Sequence, residues 1–438
     1  MSFVTTAVGS EMQQMTGSAT VMRPWATQLL RQAQERATND VPAIEGIVQD
    51  YAWLLLGAAL VTMIAWRLHI PSAVALVLGG IAVAATDLVS VPDLPPSLLL
   101  FVFLPPLLFD AAFRLDAREL RALFRPVLLL AVPGVLVTAV VVGAVLWAIL
   151  DLPFAAAVLF GSIVAATDPV AVISIFSHLR VPGRLAVIAE AESLINDGMA
   201  ITLYIALLDL AVTGLTSASG SVGIFLRETI GGVAIGVGLG FLFSRLTGMV
   251  DDHQVEMMLS TALAYGSFLI AQRLGMSGPL ACVAAGLIHG TYGRRVGMTE
   301  PVRRLLDHLW EYLGFVANAL VFLLLGFSVE LGTIVDDAWP VTVAVVAVLG
   351  ARVLVTGLTA RALPDQMEVV HTRGERAVLI WGGLRGALTA SLALALPIDT
   401  PARDLLIAMA FGVVLFSLIV QGLTLPLVIR WAGLARPG

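Results

Sequence analysis

Residues 155–176 read AAAVLFGSIVAATDPVAVISIF. Apart from Asp168 nothing in this run is charged, and its length is that of a membrane-crossing helix, which needs about 20 apolar residues. Asp168-Pro169 does not fit a simple crossing. Proline removes a backbone donor and disfavours helix at the residue before it, so a break is expected near the middle of the run. An ionised side chain near the bilayer centre costs roughly 2.5–3.5 kcal/mol on insertion scales. Acids placed there default to a path or binding site for cations or protons. The next apolar run carries two more, within residues 192–197, ESLIND.

The whole chain supports that setting. Its 438 residues are 58% hydrophobic and 13% charged, with a mean hydropathy of +0.94. Soluble domains carry about a quarter charged residues. The apolar runs are far longer than the alternating segments of a β-barrel. The fold class is therefore all-α polytopic membrane protein. All 25 basic residues are arginine, which excludes any mechanism needing a buried, titrating lysine. No basic block suggests nucleic acid, and the single cysteine, Cys282, rules out an internal disulfide. Residues 1–48 are polar and lack the apolar core of a signal peptide, so they are expected as an N-terminal extension.

Apolar runs against polar punctuation predict about thirteen spans: 51–68, 70–90, 97–113, 126–149, 155–177, 185–212, 222–246, 255–273, 278–293, 308–331, 340–361, 375–396 and 403–431. Arginine concentrates after the odd-numbered spans, at Arg67, Arg114, Arg118, Arg121, Arg125, Arg180, Arg184, Arg245, Arg294, Arg295, Arg303, Arg304, Arg361, Arg373 and Arg376. The loops 91–96, 150–154, 213–221 and 332–339 carry none. By the positive-inside rule the N-terminus is expected outside and the C-terminus in the cytoplasm of a multi-pass plasma (inner) membrane protein. No cytosolic domain is expected after the spans, which with their loops occupy 49–434.

A second break is expected in the twelfth span, where Gly382-Gly383-Leu384-Arg385-Gly386 places three glycines mid-helix. It lies seven spans after the first, in a helix of opposite direction. Paired broken helices point to an inverted-repeat transporter with a midplane site. Spans 1–6 then match spans 8–13, with the seventh as connector.

Helical geometry sorts the acids of the sixth span. At about 100° per residue, Ser193 and Glu190 share a face with Asp197, while Glu192 points about 140° away. Glu190 is either the mouth of a cytoplasmic ion funnel or an interfacial acid. Asp168 and Thr167 offer hard oxygen ligands where the fifth span opens. Asp168 is alternatively a cap on the following helix. Asp110 is an outer ligand or an interfacial acid. Arg352 and Arg385 are permanently charged and need acids or carbonyls as partners. Glu192 is the expected partner of Arg352, as a structural ion pair, and Arg385 is expected to offset helix-end charge where the two broken spans cross. The histidines 69, 178, 253, 289, 308 and 371 sit near helix ends or loops without metal-ligand spacing and are expected as solvated residues.

These segments resemble the monovalent cation:proton antiporter superfamily, specifically its electroneutral Na+/H+ exchanger branch in prokaryotes. The matching stretches are FLPPLLFD (103–110), ATDPVAV (166–172), ESLINDG (192–198), Gly350-Ala351-Arg352 and WGGLRGA (381–387). The resemblance implies a homodimer with a dimerisation domain (spans 1–2 and 7–9) and a core domain (spans 3–6 and 10–13). In that core, broken spans 5 and 12 cross at the midplane. It implies that Asn196-Asp197 is the diagnostic pair, Asp197 being the ion and proton carrier. The implied Na+ ligands are Asp197, Asp168, the Thr167 carbonyl, Ser193 and Asp110, with Glu192 paired to Arg352. Electrogenic relatives carry two aspartates and a lysine, where this chain has Asn196 and Arg352.

The expected function is antiport of Na+ (or Li+) against H+ for sodium and pH homeostasis, electroneutral at 1:1, by an elevator-like alternating access. No cofactor, enzymatic activity or nucleic-acid partner is expected; the lipid bilayer and a second copy are. A K+/H+ antiporter of the same fold is the alternative. Remoter ones are a cation channel and an intramembrane aspartyl protease, whose Gly-x-Gly-Asp segment is missing here.

Overall fold

The computed structural model describes residue 49 and residues 51–68, 70–86, 99–214, 217–363 and 372–435. The polar extension, His69, His371 and the loop 91–96 lie outside the described residues. The chain divides into two compact units, Met1–Leu56 and Gly57–Gly438. Of the first, only the start of a helix is described. The rest concerns the second.

All regular elements among the described residues are helical, so backbone polar groups are satisfied within each segment, as a bilayer demands. In chain order they are α1 (Tyr51–Leu68), α2 (Ser72–Ala84), α3 (Leu104–Arg114), α4 (Ala117–Ala122), α5 (Phe124–Leu150), α6 (Phe154–Ile163), α7 (Val170–His178), α8 (Gly183–Val212) and α9 (Ala218–Thr247). There follow α10 (His253–Arg273), α11 (Gly278–Ile288), α12 (Glu300–Phe327), α13 (Leu331–Asp336), α14 (Ala338–Ala362), α15 (Arg373–Trp381), α16 (Ala387–Leu394), α17 (Arg403–Leu415) and α18 (Gly422–Trp431). Among the described residues, seven helical stretches are individually long and apolar enough to cross a membrane: α1, α5, α8, α9, α12, α14 and the continuous Arg403–Trp431.

Both expected breaks are present. The fifth span is two short helices, α6 and α7, separated at residues 164–169, and the twelfth is α15 and α16, separated at 382–386. Pro105 and Pro106 do not interrupt α3, because they occupy its first turn, where no backbone donor is needed. The tenth span begins earlier than hydropathy indicates. α12 starts at Glu300, and its first turns carry Arg303, Arg304, Asp307, His308 and Glu311, which mask the helix in an apolar window.

Packing arranges the helices around the breaks. α5, α6, α8 and α14 pack together, and α17 and α18 cover α16 and α15. On the other side α9 lies along α10 and α11, and α2 along α12. α2 and α12 approach through glycine: a Cβ on Gly80 would lie 2.8 Å from the Gly326 Cα. α3 and α12, the third and tenth spans, pack on α2, α10 and α11 and also reach α8 and α16. They thus sit between the two groups, whereas the resemblance places them with the core helices.

One expectation fails outright. His289 is not solvated but fully buried, packed against Phe109 and Phe113, with Ser244 Oγ 3.1 Å from its Nδ1. It lies in a π-helical turn, His289–Gly293, that continues α11. His178, His253 and His308 are exposed.

Candidate ion-binding site

The two breaks touch. The Asp168 N–H donates to the Leu384 carbonyl at 2.8 Å, so the extended segments form one short backbone link where four helix ends converge. Two of these ends are C-termini, those of α6 and α15, and two are N-termini, those of α7 and α16. Helix C-termini carry partial negative charge and N-termini partial positive charge. Arg385 serves the negative ends. It is 2% exposed, its Nε donates to the Val164 carbonyl at 2.6 Å, and its Nη1 donates to the Gly383 carbonyl. Among the described residues no carboxylate lies within ion-pairing distance of it. Asp168 serves the positive ends. Its Oδ1 accepts from the Val170 N–H at 2.9 Å, and its carboxylate lies against Gly386, where a Cβ would overlap it. The π-helical turn Phe416–Gln421 completes the crossing. Ser417 Oγ accepts from the Arg385 N–H at 2.9 Å, and Gln421 Nε2 donates to the Trp381 carbonyl at 3.0 Å.

α8 passes beside this crossing and divides its polar residues between two sides. Asn196 clamps the fifth-span break at two points: its Nδ2 donates to Thr167 Oγ1 at 2.7 Å, and its Oδ1 accepts from the Thr167 N–H at 3.3 Å. A side-chain amide supplies the two on separate atoms, a donor at Nδ2 and an acceptor at Oδ1. Ser193 Oγ lies 2.9 Å from the same Thr167 hydroxyl. Glu192 points further round, into a fully buried bidentate pair with Arg352. Arg352 Nη2 lies 3.0 Å from Glu192 Oε2, Nη1 binds Oε1, and Nε donates to the Leu379 carbonyl at 3.2 Å. Gly383 lies against that guanidinium, where a Cβ would stand 2.7 Å from Nε.

Asp197 faces the other way, into a cavity of about 340 Å³ that Asp168, Asp110, Glu190, Thr167 and Gly386 also line. One Asp197 carboxylate oxygen has no hydrogen-bond partner. Asp110 holds Arg114 in a two-point ion pair, with Nε 2.7 Å from Oδ1 and Nη2 2.8 Å from Oδ2. The structure therefore brings Asp197, Asp168, Asp110 and Glu190 to one cavity. It places Ser193 behind the Thr167 hydroxyl, off that cavity, because the hydrogen bond with that hydroxyl draws it toward the break. Lined by five carboxyl groups, those of Asp110, Asp168, Glu190, Asp197 and Glu311, and by no histidine or cysteine, the cavity suits a hard cation or a proton.

Several lining residues are not recognisable from sequence motifs. α12 contributes Glu311, Gly314 and Asn318, and α16 contributes Thr389. A Cβ on Gly314 would stand 2.7 Å from Asp110 Oδ2, so this glycine makes room for the acid. Away from the cavity, Arg184 at the start of α8 pairs at 2.9 Å with Glu375, which is 1% exposed at the start of α15. The only sequence signal for Asn318 is a lone amide in an otherwise apolar stretch.

The family profile described as "Sodium/hydrogen exchanger, transmembrane" matches residues 54–431. The Na+/H+ antiporter NhaH of Halobacillus dabanensis is 35% identical over 394 residues, covering 87% of this chain and 96% of that protein. The Na+/H+ antiporter ApNhaP of Aphanothece halophytica is 39% identical over 370 residues, covering 84% of this chain and 70% of that one. Among solved structures, the sodium proton antiporter MjNhaP1 of Methanocaldococcus jannaschii superposes with a TM-score of 0.74 at 22% identity, covering 88% of this chain and 98% of that one. With its crossed breaks, its two facing carboxylates and a profile match over nearly its whole length, the chain belongs to the sodium/hydrogen exchanger family.

Proposed function

We propose that this protein is a secondary antiporter that exchanges Na+ or Li+ for H+, one for one, across the plasma membrane. The observation that carries this reading is the pair Asp168 and Asp197, held by a helix break and its neighbour at one cavity, with an Asp197 oxygen left unpartnered. A carboxylate in such a place is neutralised by a proton or by a cation, and the two compete for it. Carrying the site across the membrane is favourable only when it is loaded, since a bare anion is costly to move through the apolar surroundings. Exchange follows from that restriction without any contact between the two substrates.

In this mechanism Asp197 is the carrier, and Asp168 and the Thr167 carbonyl are cation ligands. Asn196 holds the break closed on α8, and Asp110 with Glu190 forms the approach from the cytoplasm. Ser193 contributes by orienting Thr167. Glu192 with Arg352, and Arg385 at the crossing, hold the frame. Electroneutrality rests on the single carrier carboxylate of the Asn196-Asp197 pair, with Arg352 already neutralised by Glu192. The arginine-rich loops support a topology with the N-terminus outside and the C-terminus in the cytoplasm. Alternating access follows if the group of α5–α8 and α14–α18 slides against α2, α3 and α9–α12 as in an elevator, with a second copy anchoring the stationary group.

The test is proton flux in proteoliposomes, read by lumenal pH while Na+, Li+ and K+ are varied in turn. Asp197→Asn is isosteric and removes the charge. It is expected to fold and to abolish exchange; Na+-driven proton flux at the parental rate in this variant overturns the assignment. Flux that generates or follows a membrane potential overturns the one-for-one stoichiometry. Preference for K+ would make the protein a K+/H+ antiporter with the same carrier.

A further inference from the structure

We propose that Asn318, on the cavity wall opposite Asp197, is a cation ligand that sets affinity and ion preference, an inference that rests on the exchange reading above. α8 and α12 both contribute an acid at the Arg114 side of the cavity. Glu190 and Glu311 line it together with Arg114, and each lies within electrostatic reach of Asp110. From Glu190 to Asp197 is seven residues along α8, and from Glu311 to Asn318 is seven residues along α12. Seven residues are about two turns, or about 10 Å of rise. Both helices carry the acid at the mouth and the second polar group two turns deeper, so Asn318 stands at the depth of Asp197 across the cavity.

The surroundings of Asn318 give it no other task. Positions 311, 314, 315, 318 and 321 form one face of α12 at helical spacing, and all line the cavity. Gly314, one turn toward the mouth, receives Asp110, and beyond Asn318 the face turns apolar at Val321. The Asn318 amide makes no hydrogen bond among the described residues and is half-buried. A side-chain amide supplies a hard oxygen like that of a backbone carbonyl, so it coordinates a small cation without adding charge. The proton-loaded carrier makes no such demand, so the contact favours the cation-loaded state alone. α12 packs on α2 and α3, whereas Asp197 lies on α8, so Asn318 meets the cation from the side of the cavity that does not carry Asp197.

The experiment compares parent, Asn318→Ala and Asn318→Asp in proteoliposomes, with Na+, Li+ and K+ titrated separately and folding checked by monodisperse elution. Asn318→Ala is expected to raise the half-saturating Na+ concentration by about 3- to 10-fold, the scale of one neutral polar contact. Li+, with the most tightly held hydration shell, is expected to lose more than Na+, with the maximal rate retained. Asn318→Asp, which keeps the oxygen and adds charge, is expected to bring half-saturation below the parental value and to shift the ratio between the ions. An unaltered half-saturation and ion ratio in folded Asn318→Ala overturns the inference. So does a lowered maximal rate at unchanged half-saturation, which is the signature of a merely structural residue. If Asn318→Ala does not fold, Asn318→Asp decides: a parental half-saturation and ion ratio overturns the role. Absence of Na+-driven flux in the parent refutes the exchange reading itself, whereas parental exchange with indifferent variants refutes only the role of Asn318.

Discussion

The Glu192–Arg352 pair is the sharpest test of how acids are divided on α8. Glu192 is 1% exposed and Arg352 7%, and their two-point contact ties α8 to α14 while Arg352 also holds the Leu379 carbonyl beside the twelfth-span break. Removing one partner of a buried pair strands the other charge and costs about 3–5 kcal/mol, whereas replacing both with neutral groups of similar volume is close to neutral. Unfolding entropy near 2.1 cal/mol/K per residue gives about 0.9 kcal/mol/K for a chain of this length, so the loss corresponds to roughly 3–5 °C in midpoint. Glu192→Gln and Arg352→Met are therefore each expected to lower the thermal midpoint in detergent by that amount. The double variant is expected to recover most of it, giving a coupling term in the cycle far outside additivity. Residual exchange should track the folded fraction. Either of two results refutes the reasoning. One is additive single-site losses. The other is a Glu192→Gln protein of parental stability that no longer exchanges, which would make Glu192 a proton carrier and not a scaffold.

Gly386→Ala places a Cβ into the Asp168 carboxylate, so exchange should fall at least tenfold while Gly350→Ala, whose Cβ meets open space, leaves it intact; proton flux measures both. Asn196→Asp keeps the acceptor for the Thr167 N–H but loses the donor to its hydroxyl, and a midpoint drop equivalent to about 1–3 kcal/mol is expected in thermal unfolding. On the far side of Asp197 from the cavity mouth, Thr202 and Ser277 hydroxyls meet at 2.8 Å between α8 and α11, and Leu280 fills the notch left by Gly198. A Thr202→Cys/Ser277→Cys disulfide in a Cys282→Ala background should stop exchange when oxidised and release it on reduction; undiminished flux in the fully oxidised protein would show that these helices need not part.

How much was legible beforehand follows from which forces are local. Pro169 and the glycines at 382, 383 and 386 act through their own backbone, so both breaks could be placed from sequence. Helical periodicity separated Glu192 from Asp197, because that angle belongs to the helix itself. Ser193 was less well determined. A 40° offset keeps it on the Asp197 face in a helical projection, but the neighbouring break supplies the Thr167 hydroxyl and draws it off the cavity. His289 misled for a similar reason. Its position near a helix end suggests solvent, yet the π-helical turn extends α11 and folds the imidazole under Phe109 and Phe113.

The sequence by itself determined the class, the apolar spans, the two breaks and the acids that cannot rest in lipid, since each follows from hydropathy or from the covalent properties of proline, glycine and aspartate. Only the tertiary structure decided which residues of separate helices meet at the cavity and which turn away from it. It drew Ser193 to the Thr167 hydroxyl, folded His289 against Phe109 and Phe113, and brought Gly314 and Asn318 of α12 to the cavity of Asp197. Those pairings join positions far apart in the chain. They depend on how helix faces are rotated and offset when packed, and no local rule fixes that.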